Sequence, residues 1–135
     1  MNDDRGQALV LAVLALALAA ATIVGLRSAQ DRILADVRER RAGEAAVEAA
    51  GATIADRLVE LTARSTPSRS DLDALVVDPL LVERSWAVAD ELSAANGGAS
   101  VRDLTIGVGA RSLDITLWVG AHRQRASIGT TCCRR

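Results

Sequence analysis

The chain has 135 residues, of which 50% are hydrophobic, and its 16 basic residues, all arginine, nearly balance 17 acidic ones for a formal net charge of −1. Binding to a nucleic-acid backbone requires a clustered excess of positive charge, so this balance argues against a nucleic-acid partner. Two tryptophans with no tyrosine or phenylalanine leave almost no aromatic surface on which a sugar, a base or another small-molecule substrate could stack.

The first predicted element is a membrane-spanning helix. The run from Ala8 to Leu26 carries no charge, and a helix of that length approaches the ~30 Å thickness of the hydrocarbon core of a bilayer. We therefore predict a transmembrane helix over residues 7–26 after a short leader-like segment at 1–6. The alternative is a cleaved secretory signal ending near Ala21, but the apolar run continues past that residue and is longer than a signal core requires.

The same helix is predicted to continue as an amphipathic segment over residues 27–64. Acidic and basic side chains mix along one face, and apolar residues recur at three-, four- and seven-residue steps at Ile33, Val37, Val47, Ile54, Leu58 and Leu61. Gly43 and Gly51 each cost about 1 kcal/mol relative to alanine inside a helix, so we expect a break or bend near one of them. The apolar stripe fits packing on the chain's own domain and packing on other subunits equally well.

A linker and two short helices are predicted next. Hydroxyl side chains and a proline mark residues 65–70 as the linker that ends the long helix. Ser70 and Asp73 resemble a capping box at the start of the first short helix, and Asp78 followed by Pro79 indicates the start of the second. We expect the second helix to end at Asn96–Gly97–Gly98 and to face inward with Leu81, Trp86, Val88 and Leu92.

From Val101 onward the apolar residues alternate, which indicates strands. Leu104, Ile106 and Val108 mark the first strand, and a connection of hairpin length follows at residues 109–111. The second strand carries Leu113, Ile115, Leu117 and Val119, and residues 121–128 predict a third, antiparallel strand. The sequence thus predicts an α+β fold of pilin-like architecture, in which a long N-terminal helix and two short helices accompany a small antiparallel sheet. Residues 71–130 would form a small α/β domain and 131–135 a tail.

No constellation of side chains predicts catalysis. His122 is the only histidine, so any Ser-His-Asp or Cys-His arrangement would depend on one ring. Asp71, Asp73 and Asp78 lack the glycine and distal glutamate of a calcium loop, and helix capping explains the last two better. We therefore expect no enzyme activity, no metal site and no cofactor.

Two adjacent cysteines lie near the C-terminus. A bond between Cys132 and Cys133 would strain disulfide geometry, and a zinc site would lack further ligands. If the tail lies outside the cytoplasm, an intermolecular disulfide through these residues is the remaining role.

Two motifs resemble the N-terminal region of the TadE/TadG-like proteins of the tight-adherence (Flp) pilus system. They are Gly6–Leu11, directly before the apolar helix, and the alanine-rich stretch Ala42–Gly51, so that the likeness covers about residues 5–52. The resemblance implies a pseudopilin-like accessory protein of pilus assembly, adhesion or secretion. Such a protein is held in the cytoplasmic membrane by one helix, carries its domain outside the cytoplasm and has other pilin-like subunits as partners. It also implies that a prepilin peptidase would cut between Gly6 and Gln7.

The chain departs from the family pattern at two points. Pilin-like members carry a glutamate five residues into the mature helix, and Leu11 stands there, so an ion pair with a neighbour's N-terminal amine is absent. The Asp-x-Ser-x-Ser signature of the metal-dependent adhesion domain in longer TadG proteins is absent too. The resemblance therefore implies a short accessory member that assembles by helix packing, with Ala8, Ala12, Ala19, Val47, Ile54 and Leu58 as the packing residues.

The distribution of arginines supports a different orientation. Only Arg5 precedes the anchor, whereas five arginines follow it within residues 27–41, and the positive-inside tendency would place the domain in the cytoplasm. The alternative function is accordingly an anchored cytoplasmic scaffold or regulatory domain unrelated to pili. We favour the extracytoplasmic side, because long domains translocate largely regardless of charge and the arginines here alternate with acids.

Overall fold

The computed structural model describes residues 3–130, which form three helices followed by three strands. The elements are α1 (Asp3–Arg64), α2 (Arg69–Val76), α3 (Pro79–Ala95), β1 (Val101–Val108), β2 (Ser112–Val119) and β3 (His122–Gly129). The predicted α+β class, with one long N-terminal helix, two more helices and a three-stranded antiparallel sheet, is confirmed. The chain divides into two compact units between Asp36 and Val37, and we call the second unit the domain.

α1 runs without interruption through both glycines, so of the break or bend predicted there the break is wrong. The physical reason is that both glycines lie where α1 packs closely on the sheet. A Cβ atom at Gly43 would lie 2.8 Å from Cγ of Gln124 on β3, and one at Gly51 would lie 3.6 Å from Cδ1 of Ile115 on β2. Close packing against the sheet offsets the low helix propensity of glycine.

α2 begins two residues earlier than its predicted capping box. The helix is capped by Ser68, whose Oγ accepts from the backbone N–H of Asp71, while Asp71 Oδ2 accepts from the Ser68 backbone N–H at 2.8 Å. The prediction of Ser70 and Asp73 is therefore wrong, and the linker ends before residue 69. Starting at Ser68 allows Arg69 to donate to the carbonyl oxygens of Val108 and Gly109 at 3.0 and 2.9 Å, which ties α2 to the end of β1.

α3 begins as predicted but turns a different face inward. Asp78 caps it by accepting from the Leu80 N–H at 3.0 Å, Pro79 occupies its first turn, and Gly97 follows its end with a φ of +72°. Of the four side chains predicted to face inward only Leu81 is buried, and Trp86, Val88 and Leu92 are 36–38% exposed. The buried row consists of Leu81, Ser85, Ala89 and Ser93, because small side chains let the helix backbone approach the core.

The sheet has the order β1-β2-β3, with both pairs antiparallel. Leu113, Ile115, Leu117 and Val119 on β2 are fully buried, as the alternating pattern predicted, and the predicted third strand is present. β1 carries an irregularity between Arg102 and Thr105, and Asp103 within it has a φ of 53°.

The core of the domain lies between α1 and the sheet, with α2 and α3 contributing further side chains. α1 supplies Ala42, Ala46, Val47, Ala50, Ile54 and Leu58 to it. The C-terminal half of α1 is thus a structural part of the domain.

Candidate functional site

The first candidate site is the N-terminal part of α1, which is long and apolar enough to span a membrane. Its large apolar side chains are all more than half exposed, at Leu9, Val10, Leu11, Val13, Leu14, Leu16, Leu18, Ile23, Val24 and Leu26. An exposed apolar surface of this extent is typical of a site that contacts a membrane or another protein. The hydroxyl of Thr22 donates to the carbonyl oxygen of Leu18 at 2.8 Å, so this polar group is satisfied inside the helix, as a lipid environment requires.

The residues predicted for leader cleavage and for packing in the membrane lie on this exposed surface. Gly6 and Gln7 are exposed within α1, and no atom lies within 4 Å of a Cβ placed at Gly6. Ala8, Ala12 and Ala19 are exposed as well. Within the part of the chain that the structure describes, no residue covers these alanines, so their surface is open to a second helix.

The other three predicted packing residues lie in a different environment. Val47, Ile54 and Leu58 are buried in the core of the chain's own domain. The sequence left open whether the stripe packs on the chain's own domain or on other subunits. At these three residues it packs on the chain's own domain. Ile33 and Leu34 on the preceding turns are more than half exposed, so the N-terminal end of the amphipathic stripe is uncovered.

The second candidate site is a groove of ≈ 460 Å³ within the domain, between α1 and α3. Apolar and charged side chains alternate along it, at Thr53, Asp56, Arg57, Glu60, Asp78, Leu80, Leu81, Arg84 and Val88. Arg57 and Glu60 form an exposed ion pair at its edge. Leu80 and Val88 are exposed beside these charged side chains, so the groove offers a mixed apolar and polar surface.

The third candidate site was missed by sequence reasoning. The sheet surface that carries Arg102, Trp118, Arg123 and Arg125, which we call the outer face, points away from the core. Strand register pairs Trp118 with Arg102 on one side and with Arg123 on the other. The alternation of β2 already showed that Trp118 faces away from the buried leucines, but only the register reveals the two arginines beside it.

Two further titratable contacts lie within the domain, at His122 and at Asp71. His122 Nε2 lies 3.8 Å from Oε2 of Glu39, where α1 passes the turn between β2 and β3. Hydrogen bonds from the Ser68 hydroxyl and then from its backbone N–H lower the pKa of Asp71 below its ordinary value. Within residues 3–130 no group of three or more metal-ligating side chains converges. Cys132 and Cys133, predicted to form an intermolecular disulfide, lie outside the described residues.

Comparison with known proteins adds no relative. No protein-family model, no curated protein and no solved structure matches the chain. The resemblance of residues 5–52 to the TadE/TadG-like family stays a prediction. Over residues 3–130 the structure shows an α+β fold with one helix long and apolar enough to span a membrane, an uncovered apolar helix surface, a mixed groove and an arginine-rich sheet face.

Proposed function

We propose that this chain is a single-pass, membrane-anchored, pilin-like accessory protein of a tight-adherence (Flp) pilus or a related secretion system, and that it acts by helix packing and assembly. The observation that carries the proposal is the change in the environment of α1 along its length. The helix is apolar and uncovered over residues 8–26, and from Ala42 to Leu58 it forms part of a domain core.

The continuity of α1 favours a structural role over simple tethering. A domain that only needs to be held at a membrane can hang from a flexible linker rich in glycine, serine or proline. Residues 27–41 contain neither glycine nor proline and are helical throughout. A helix that serves both the bilayer and the domain core matches the pilin-like arrangement implied by the resemblance of the N-terminal region.

Helix packing is the proposed mechanism of assembly. Small side chains let helices approach closely in lipid, where van der Waals contact drives association. Ala8, Ala12 and Ala19 supply such positions, and Leu11 leaves the segment without an acidic group, so packing would proceed without an ion pair in the bilayer. Outside the bilayer, the groove between α1 and α3 offers Leu80 and Val88 as an apolar contact for another pilin-like subunit.

The second candidate function is an anchored cytoplasmic scaffold or regulatory domain. It is favoured by Arg27, Arg32, Arg38, Arg40 and Arg41, which follow the anchor and are all exposed. These side chains would act as the cytoplasmic flank of a single-pass protein under the positive-inside rule. The two candidates therefore differ in the side of the membrane on which the domain lies.

Thiol labelling in intact cells separates the two candidates. The test treats cells with a membrane-impermeant maleimide, before and after lysis and with impermeant reduction, and follows Cys132 and Cys133. We expect labelling without lysis, or after impermeant reduction alone, for an extracytoplasmic domain. Labelling only after lysis would refute the extracytoplasmic orientation and favour the scaffold.

A matched variant protects this experiment against oxidised native thiols. Ser100 is exposed between α3 and β1, so Ser100→Cys in a Cys132→Ser, Cys133→Ser background gives one reporter thiol on the domain. The cysteine-free parent controls for unspecific labelling. The pilus assignment itself is tested by deleting the gene and observing assembly of pili, with complementation by the intact chain; unchanged assembly would contradict the pilus assignment without bearing on orientation.

A further inference from the structure

The open edge of the sheet lies along β3, the last strand in the order β1-β2-β3. β2 pairs with one side of β3, and within residues 3–130 no strand pairs with the other side. We propose that this edge binds an extended acidic segment of a partner protein, which joins the sheet as an additional antiparallel strand. The proposal concerns the domain alone and depends neither on the pilus assignment nor on the side of the membrane.

The backbone groups that face the open edge follow from the register of β2 and β3. Directly after the paired strands, the N–H of Thr130 donates to the carbonyl oxygen of Arg111 at 2.8 Å. Bonded and non-bonded pairs alternate along an antiparallel ladder, so the even-numbered residues of β3 bond to β2. The backbone N–H and C=O groups of Arg123, Arg125 and Ser127 therefore point away from β2. In the part of the chain that the structure describes, no hydrogen bond joins these groups to another residue.

The opposite edge of the sheet, along β1, is already blocked. Arg69 of α2 donates to the carbonyl oxygen of Val108 at 3.0 Å, and the N–H of Val101 donates to Oδ1 of Asp90 on α3 at 2.8 Å. An irregularity also interrupts the register of β1. Proteins block edge strands in such ways because an open edge pairs with other chains. β3 differs, since all 8 of its residues pair with β2 in regular register and none is proline.

The side chains along the open edge favour an acidic strand. Arg123 and Arg125 lie two residues apart on the outer face and are exposed, and within residues 3–130 neither forms an ion pair with a carboxylate. Their backbone groups face the edge, so the residues of an added strand that bond to them would place side chains directly opposite, on the same face. Glutamate or aspartate at these two positions would compensate both charges.

Between the acids, the added strand would carry apolar residues. Gln124, Ala126 and Ile128 alternate with the exposed positions of β3 and are half-buried, and the last two pack against the core. The intervening side chains of an added strand would extend this inner surface. The partner segment therefore alternates acidic and apolar residues. A second copy of this chain offers no such strand in residues 3–130, because β1 and β2 contain one aspartate each and β3 contains no acidic residue.

Binding of a model peptide to the full chain tests the proposal. The probe is fluorescein-labelled Glu-Val-Glu-Val-Glu-Val-Glu, and its fluorescence anisotropy is followed as the chain is added in micelles of a non-ionic detergent. We expect saturable binding. A peptide of the same composition, with its glutamates and valines in two separate blocks, should lose this binding because it cannot present one residue type on each face of a strand.

Methylation of the peptide backbone separates strand addition from simple attraction of charges. In the antiparallel arrangement the N–H groups of the glutamates donate to β3, and those of the valines point away. N-methylation of the glutamates should abolish binding, whereas N-methylation of the valines should leave it intact. Both peptides keep every charge and the chain carries no substitution, so this comparison does not depend on the folding of a variant. Equal binding of the two methylated peptides would overturn strand addition.

Variants of the chain locate the binding at β3. Arg123→Gln with Arg125→Gln should weaken binding by about 2- to 30-fold, the range for two cross-strand charge pairs. Arg64→Gln with Arg84→Gln removes the same charge from exposed positions outside the sheet and should leave binding unchanged. Ser127→Pro removes a donor that faces the open edge, where proline is tolerated, and should weaken binding. Ser127→Ala is its control, because it removes the hydroxyl and keeps the N–H.

Two contrary results can be distinguished. No saturable binding of the alternating peptide would overturn the proposal and leave the arginines as a device against pairing of edges. A dimer of the chain in the same micelles that Ser127→Pro converts to a monomer, together with no binding of the peptide, would overturn the proposal in favour of a second copy. Neither result bears on the membrane anchor or on the pilus assignment, because the assay follows the domain in detergent.

Discussion

Replacement of the two glycines of α1 by alanine should change stability in opposite directions. Gly43 and Gly51 lie in the same helix and are both buried, so alanine brings the same gain in helix propensity at each, about 1 kcal/mol. The difference between the two variants therefore measures the space between helix and sheet. It is a direct test of the packing that makes α1 part of the domain.

At Gly51 the added methyl group has room. Its position lies 3.6 Å from Cδ1 of Ile115, which is an ordinary van der Waals contact. We expect Gly51→Ala to keep the full gain in helix propensity and to raise the free energy of unfolding by about 1 kcal/mol.

At Gly43 the added methyl group meets Gln124. Its position lies 2.8 Å from Cγ and 3.1 Å from Nε2 of that side chain, so the glutamine must move. Overpacking costs typically about 1–3 kcal/mol, so the middle of that range exceeds the gain in propensity of about 1 kcal/mol. We expect Gly43→Ala to lower the free energy of unfolding by about 1 kcal/mol, and the additional change Gln124→Ala to recover most of the loss.

The assay is urea unfolding of the full chain in detergent micelles, followed by tryptophan fluorescence. Trp86 on α3 and Trp118 on β2 both lie in the domain, so the signal reports its unfolding. A Gly43→Ala variant as stable as Gly51→Ala would refute the close contact with Gln124. A destabilised Gly51→Ala would refute the spacing between α1 and β2.

Further predictions concern the cap of α2, the core and the membrane segment. Ser68→Ala should lower the free energy of unfolding by about 1 kcal/mol in the same assay through loss of the capping box. The pKa of Asp71 is lowered in the folded state, so its carboxylate should stabilise the domain at pH values above its ordinary pKa. This stabilisation should be lost as the pH falls through the lowered pKa. Asp71→Asn should remove this part of the acid dependence, as measured by urea unfolding at a series of pH values. Ile54→Ala should cost about 2–5 kcal/mol, whereas Ile33→Ala at an exposed position should change stability by less than about 0.5 kcal/mol. Ala12→Trp should reduce recovery of partner subunits after crosslinking in membranes.

Each of these expectations has a contrary result. An unchanged midpoint in Ser68→Ala would indicate that Ser70 can cap α2 instead. If Asp71→Asn left the acid dependence of stability unchanged, the role assigned to the Asp71 carboxylate would be refuted. Equal losses in the two isoleucine variants would contradict the burial of Ile54, and unchanged partner recovery with Trp at position 12 would contradict packing through that surface.

The local signals in the sequence were sufficient for the order and type of the elements. The uncharged run predicted the exposed part of α1, Asp78 with Pro79 predicted the start of α3, and the alternation of residues 113–119 predicted the buried face of β2. Each of these signals involves residues within a few positions of one another. Local signals survive folding because tertiary contacts agree with them.

The errors arose where contacts distant in sequence decide between local options. Ser68 and Ser70 are each followed by an aspartate three residues later, and the bonds of Arg69 to the end of β1 favour the earlier box. On α3, hydrophobicity marked Trp86 as an inward residue, but close packing selected a row of smaller side chains that includes Ser85. Helix propensity likewise missed that a glycine can be required by a neighbouring strand.

For the candidate sites, too, features set by neighbouring residues could be predicted, and features set by contacts distant in sequence could not. The apolar surface of the membrane segment is a property of consecutive residues and was evident from sequence. The groove between α1 and α3 and the outer face of the sheet depend on which elements become neighbours. In β1 the irregularity between Arg102 and Thr105 even shifts the strand register, so the partner of Trp118 cannot be found by counting residues back from the hairpin.

The buried residues of α1 have a consequence for exchanging parts of this protein. Six core side chains, from Ala42 to Leu58, belong to the helix that also carries the apolar segment. A chimera that joins a foreign anchor at Ser65, where the helix ends, would discard them and leave the sheet without its cover. A junction within residues 27–36 keeps every one of these side chains. The part of the protein that can be transferred intact therefore begins inside α1, within residues 27–36, and not at the end of that helix.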